Sequence, residues 1–206
     1  GAFHGVPTAI KENVVAAGLP LRMGSDAVPE RRSSRDGDVV TQLLSTGAVP
    51  VVQTTCPPFG WTATTERIAD VTRNPWDTSL SSGGSSGGTA ALVASGALPF
   101  AHGNDGGGSI RIPAAHTGLV GLKPSFGRIP QYPADSPFAD VISQGVLARS
   151  VLDTALALNA TAGPDPRDWR ALPDEGRDYT IGLDDGVRGW KIGLSLDLGH
   201  VKADPE

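Results

Sequence analysis

Residues 81–111 read SSGGSSGGTAALVASGALPFAHGNDGGGSIR, two glycine-rich clusters on either side of a segment of small apolar residues. The second cluster, Gly106-Gly107-Gly108-Ser109, places several free backbone N–H groups around one hydroxyl. Glycine admits positive φ and close backbone approach. A run of N–H groups suits an anion or a developing oxyanion. Because the run ends in a serine, the stretch reads as a covalent catalyst more readily than as a phosphate cradle. Between the clusters, Thr89–Ser95 reads as a helix of small residues closed by Gly96, and Leu98–Ala101 as a short strand.

Outward from this stretch, the elements alternate. Val39, Val40, Leu43 and Leu44 stand at helical spacing within residues 38–46, with Asp38 as the expected N-cap and Gly47 as the C-terminal stop. Residues 48–54 (AVPVVQT) are apolar and β-branched, which predicts a buried strand. Helix followed by strand predicts an α/β arrangement of layers. Residues 54–88 show no clear period, and a stretch of that length inside a compact domain is usually functional. A short helix is expected at 110–118 and a strand at 118–123. Ser150 and Asp153 form a capping-box pattern ahead of the clearest helix, which Gly163-Pro164 ends. Residues 164–189 read as a surface excursion and 190–196 (WKIGLSL) as a returning strand. Glu30, Arg31, Arg32, Arg35 and Asp36 carry both signs and read as a solvated face.

Composition sets the bounds. A chain of 206 residues forms one domain by default. A net charge of −5 argues against nucleic acid and anionic membrane as partners. One cysteine, Cys56, leaves no intrachain disulfide and suits a reducing compartment, so a cytoplasmic location is expected. No apolar run is long enough to span a bilayer. The four histidines (His4, His102, His116, His200) fit no ligand spacing and read as structural or surface; no metal or cofactor is expected. The chain opens on Gly1 and is in motif by Gly5, which reads as a fragment of a longer polypeptide or a trimmed chain.

Three readings of the glycine clusters compete. Gly83–Thr89 is P-loop-like, but Thr89 stands where that motif requires a lysine. The tract also satisfies G-x-S-x-G through Ser85 and through Ser86, yet the hydrophobic strand that precedes a nucleophile elbow is replaced by Thr78-Ser79-Leu80-Ser81-Ser82. Lys11 closes a short apolar run, and residue type leaves two possibilities open for it. It is either a solvated lysine at the end of an edge strand or an amine whose pKa is lowered by apolar surroundings.

Taken together, Gly5-Val6-Pro7-Thr8-Ala9-Ile10-Lys11-Glu12, Gly83-Gly84-Ser85-Ser86-Gly87-Gly88 and Asp105-Gly106-Gly107-Gly108-Ser109-Ile110-Arg111 resemble the hallmarks of the amidase signature family. The spacing agrees, with 74 residues from Lys11 to Ser85 and 24 from Ser85 to Ser109. Arg73-Asn74-Pro75-Trp76-Asp77, Gly121-Leu122-Lys123-Pro124 and Leu147-Ala148-Arg149-Ser150 are similar to the family as well, so the resemblance covers nearly the whole chain. Glu12 replaces the usual Asp, and Gln53-Thr54-Thr55-Cys56-Pro57-Pro58 departs from the family's K-T-N-x-P-E-F segment.

The resemblance implies a mixed sheet flanked by helices and representing the N-terminal catalytic core of a longer domain. It implies Ser109 as nucleophile, Ser85 as bridging serine after a cis Gly84–Ser85 bond, and Lys11 as base. Gly106, Gly107, Gly108 and Ser109 would hold the oxyanion. Asp105 and Arg111 would brace the nucleophile loop, with Ser86 in a supporting hydrogen bond. The implied substrate is a small aliphatic or aryl carboxamide, with room for a homodimer. A glutamine-dependent amidotransferase subunit is the second enzyme reading, although Ile112 stands where it would carry Gln. A catalytically silent scaffold and a phosphate-binding module are the rivals outside catalysis.

Overall fold

The computed structural model describes residues 1–134 and 141–202. A parallel pair, β1 (Pro7–Lys11) and β2 (Val49–Thr54), is connected through helix α1 (Asp38–Ser45). A three-stranded antiparallel sheet of order β3-β5-β4 is formed by β3 (Phe100–Asp105), β4 (Val120–Leu122) and β5 (Ser143–Ala148). Helices α2 (Gly87–Ala94), α3 (Arg111–Thr117) and α4 (Val151–Thr161) complete the described elements. Strands β1 and β3 lie side by side, and the Thr8 hydroxyl donates to the Phe100 carbonyl at 3.1 Å.

The two-residue period of a strand sends alternate side chains to opposite faces. Ile10 and Phe100 therefore join Val39, Val40, Leu43 and Leu158 in the core under α1 and α4. Ala9 and Ala101 turn the other way, toward Val93 of α2, while Ala90, Ile110, Ala114 and Leu147 close a third cluster under α2 and α3. Helices thus cover both faces of the β1–β3 region, as the α/β expectation requires. Lys11 shares its parity with Ala9, which turns its side chain toward the segment that enters α2.

Helix α2 begins at Gly87, two residues before the expected start. Only glycine fits there. A Cβ on Gly87 would lie 2.3 Å from the Thr65 hydroxyl oxygen, and one on Gly88 would lie 2.5 Å from the Thr55 backbone nitrogen. Helix propensity favours Ala over Gly by about 1 kcal/mol, but overpacking against fixed backbone outweighs that gain. Gly88→Ala is expected to lower stability by about 1–3 kcal/mol in denaturant unfolding. Gly193→Ala, whose added methyl meets open space, should leave the midpoint unchanged. Arg149 ties down the far end of α2 by donating to the carbonyls of Val93 at 3.1 Å and Leu98 at 2.6 Å.

Three expectations are corrected, and one strand was not expected at all. Asp38 is not the cap of α1: Gly37 holds the N-cap position, and the buried Asp38 carboxylate pairs with Arg167 at 2.6 Å. Strand β2 is an edge, with Val51 58% exposed, because its β-branched run meets β1 on one side and no strand among the described residues on the other. Residues 190–196 form no strand; Trp190, Ile192, Leu194 and Leu196 all face solvent. Their alternation is strand-like, yet a strand needs a hydrogen-bonding partner, and no described strand lies beside them. Strand β5 has no counterpart among the expected elements. Its Ser143-Gln144-Gly145 start lacks an apolar period, yet Gly145 lets the Leu122 carbonyl approach within 2.2 Å of where a Cβ would sit.

Candidate active site

Lys11 is fully buried at the end of β1, which removes the solvated-lysine possibility. Its Nζ lies 2.7 Å from Ser85 Oγ and 2.7 Å from Asn104 Oδ1. Burial pushes its pKa down to about 8, against the opposing pull of Cys56, Asp105 and Glu12. Deprotonated amine is therefore within reach near neutral pH. Beneath it, His102 accepts the Lys11 backbone N–H on Nδ1 at 3.4 Å and meets Gln144 Oε1 through Nε2 at 2.8 Å. A carbonyl oxygen on the Nε2 side fixes the proton there. Burial lowers the ring's pKa to about 4, so His102 stays a neutral brace, in line with the structural role expected of it.

Ser85 follows a cis Gly84–Ser85 peptide bond in the loop entering α2 and is almost completely buried. Ser86 donates its N–H to the Ser109 carbonyl at 3.1 Å and its hydroxyl to the Asn104 carbonyl at 3.4 Å, which stitches the two glycine clusters together. Gly103 makes room for this, since a Cβ there would lie 3.0 Å from Ser86 Oγ.

Asp105 organises the segment that carries Ser109. Its buried carboxylate accepts the N–H groups of Gly108 at 2.7 Å, Ile110 at 3.1 Å and Arg111 at 3.3 Å. It also accepts Nε and Nη2 of Arg111 at 2.9 and 3.0 Å. Burial by itself would raise the Asp105 pKa, but these donors from Arg111 and the backbone hold it at about 2. Gly108 adopts φ +120°, and its N–H is spent on Asp105. Gly108 therefore shapes the loop, while Gly106, Gly107 and Ser109 line the cleft beside it.

Ser85, Ser109, Gly106 and Gly107 open onto one cleft of about 480 Å³. Asn13 and Asn104 share its polar floor, and Met23, Phe59, Trp61, Ile112 and Ile142 contribute apolar walls. Neither asparagine is singled out by the sequence. Both lie next to motif residues, and only the fold brings strands β1 and β3 together so that the Asn104 and Asn13 amides meet.

The two departures from the expected pattern turn out to be one contact. Glu12 Oε1 accepts the Cys56 N–H at 2.9 Å and pairs with Arg67 at 3.2 Å. Burial raises the Cys56 thiol to about 12, so it is an inert packing group. Asn74 and Trp76 donate to the carbonyls of His116 and Thr117, each at 2.8 Å, and so anchor the C-terminal end of α3. Among the described residues no three His, Cys, Asp or Glu side chains converge to hold a metal, and no helix is long and apolar enough to cross a membrane.

Comparison with known proteins agrees with this architecture. The Amidase family model matches residues 1–206. A crystal structure of a bacterial aryl acylamidase of the amidase signature enzymes superposes with a TM-score of 0.88 at 37% identity, over 97% of this chain and 42% of that one. A glutamyl-tRNA(Gln) amidotransferase subunit of Chloroflexus aurantiacus is 40% identical over 195 residues, which is 94% of this chain and 40% of that protein. A Mycobacterium leprae protein carrying the amidase name AmiC is 50% identical over 161 residues, 75% of this chain and 34% of that protein. The chain thus spans about 40% of the length of the first of these curated relatives. With its family segments in order along the whole chain and its fold superposing on an enzyme of that group, this chain belongs to the amidase signature family.

Proposed function

We propose that this chain carries the catalytic centre of an amide hydrolase that works through a Ser-Ser-Lys triad. The observation that carries the reading is the buried Lys11 amine at 2.7 Å from Ser85 Oγ, in the cleft that Ser109 also lines. A serine hydroxyl needs a base to become a nucleophile. Neutral Lys11 takes the Ser85 proton as Ser85 takes that of Ser109, and Ser109 Oγ bonds to the amide carbonyl carbon. The oxyanion that results is held by the N–H groups of Gly106, Gly107 and Ser109. The relay then returns the proton to the leaving nitrogen, the C–N bond breaks, and water releases the carboxylate from Ser109.

The cleft supports an uncharged amide with an apolar acyl or aryl part, since Met23, Phe59, Trp61 and Ile112 offer area rather than charge. A second reading, as part of an amidotransferase, draws on the 40% identity to the Chloroflexus aurantiacus protein. The apolar Ile112 in the cleft weighs against it. An assay for ammonia transfer with and without candidate partner subunits separates the two.

The direct test is intact mass and peptide mapping after exposure to a fluorophosphonate, with Ser109→Ala as control. One adduct on Ser109 is expected, lost in the variant. A folded protein that takes no adduct, or takes it on Ser85 or Ser86, overturns the assignment.

A further inference from the structure

Lys11 presents a problem of aim that the triad alone does not solve. A neutral amine has two N–H bonds and one lone pair, and it settles in staggered orientations about the Cε–Nζ bond. Only an orientation with the lone pair toward Ser85 allows proton transfer. The side chain has two hydrogen-bond partners, Ser85 Oγ and Asn104 Oδ1, both at 2.7 Å. The Asn104 oxygen bears no hydrogen, so it can only draw an N–H bond, which leaves the lone pair free for the other partner.

The direction of the Asn104 amide is itself held. Its Nδ2 donates to Asn13 Oδ1 at 3.1 Å, and Asn13 Nδ2 donates back to Asn104 Oδ1 at 3.4 Å. Were the amide reversed, its N–H groups would compete with Ser85 for the lone pair, and the pair with Asn13 would be broken. Both asparagines are more than nine-tenths buried, which limits the competition of water for these bonds. An uncharged acceptor also suits the task, because a carboxylate at that distance would hold the amine protonated.

We propose that Asn104, held by Asn13, is the positioning residue that turns the Lys11 lone pair onto Ser85. This rests on the triad reading above. The groups that bear on the Lys11 charge are Glu12 next to β1, Cys56 beyond β2, and Asp105 and the neutral His102 on β3. Of these, none is replaced in the test.

The experiment is the rate of Ser109 labelling by a fluorophosphonate from pH 5 to 12, in short exposures at high pH, in the parent, Asn104→Asp and Asn104→Leu. In Asn104→Asp the oxygen acceptor survives but gains charge. Its midpoint should rise by about one to three pH units, with the plateau at high pH retained. In Asn104→Leu the acceptor is gone. Its plateau should fall about 100-fold without any rise in midpoint, the scale of a lost general-base contribution. A merely structural role lowers the plateaus of both variants alike, wherever their midpoints fall, and that result overturns the proposal. So does a parental plateau in Asn104→Leu. Should Asn104→Leu not fold, Asn13→Ala replaces it, with a lowered plateau expected and a parental one fatal. If the parent itself is not labelled, the triad reading fails on its own. Nitrogen-15 NMR titration of the Lys11 amine then decides this proposal: an Asn104→Asp protein with an unmoved Lys11 titration overturns it, and an upward move supports it.

Discussion

Ser109→Ala and Lys11→Met are each expected to reduce hydrolysis of a simple aryl amide by about 10⁴-fold or more, and the double variant by little beyond either one. Groups that act as a unit are grossly non-additive, because removing one member already disables the rest. The parent's rate should rise with pH through about 8, where the buried Lys11 amine loses its proton. That limb should vanish in Lys11→Met, leaving a low and flat profile.

Stability separates this outcome from unfolding, with a sign that follows from linkage. Burial depresses the Lys11 pKa in the folded state below its ordinary value. The unfolded chain therefore binds more protons between about pH 8 and 10.5, and stability contributed by Lys11 rises across that window. At pH 7 the lysine is a burden, since its charged form is held in a poorly solvated place. Lys11→Met should accordingly melt no lower than the parent while having lost its chemistry. A variant with parental activity, or one that loses activity only because its melting point collapses, would remove Lys11 from the role of base.

The second large effect belongs to Asp105. Its buried carboxylate satisfies three backbone N–H groups and Arg111 at once. Asp105→Ala leaves the N–H groups of Gly108 and Ile110 without their acceptor, whereas Arg111, 55% exposed along its side chain, can return to water. Breaking a buried pair by removing one partner costs about 3–5 kcal/mol. In a chain of this size that corresponds to a fall of about 10 °C in melting temperature. Activity should be lost even well below the transition, because the loop that presents Ser109 is no longer drawn around the carboxylate. Calorimetry with labelling at low temperature checks both parts. The parent should hold its Asp105 contribution at any pH above the ordinary aspartate value and lose it only as pH falls through about 2.

A large part of the site was legible without coordinates. Lys11, Ser85, Ser109, Asp105 and Arg111 lie in motifs whose glycines and spacings stand out in the chain itself. So do the capped start of α4 at Ser150 and the small-residue character of α2. Those features are local: a cap, a turn or a glycine run states its own backbone need within a few residues. What stayed hidden depends on neighbours distant in sequence. Asn104 looks like any polar residue at a strand end until Lys11 and Asn13 are brought against it from 93 and 91 positions away. Strand β5 lacks an apolar period, because Gln144 and Gly145 answer to His102 and to the Leu122 carbonyl rather than to a solvent face. The same logic explains the failures. Residues 190–196 alternate as a strand should, and β2 is as β-branched as a buried strand, but pairing and burial are properties of what lies alongside. By itself the sequence determined which residues fall in the family's segments and where backbone must come close. Only the tertiary structure decided that Gly108 spends its N–H on Asp105, that Lys11 is buried enough for its pKa to fall to about 8, and that its amine meets both Ser85 and Asn104. Burial and hydrogen-bond direction arise from packing between distant segments, which no local pattern encodes.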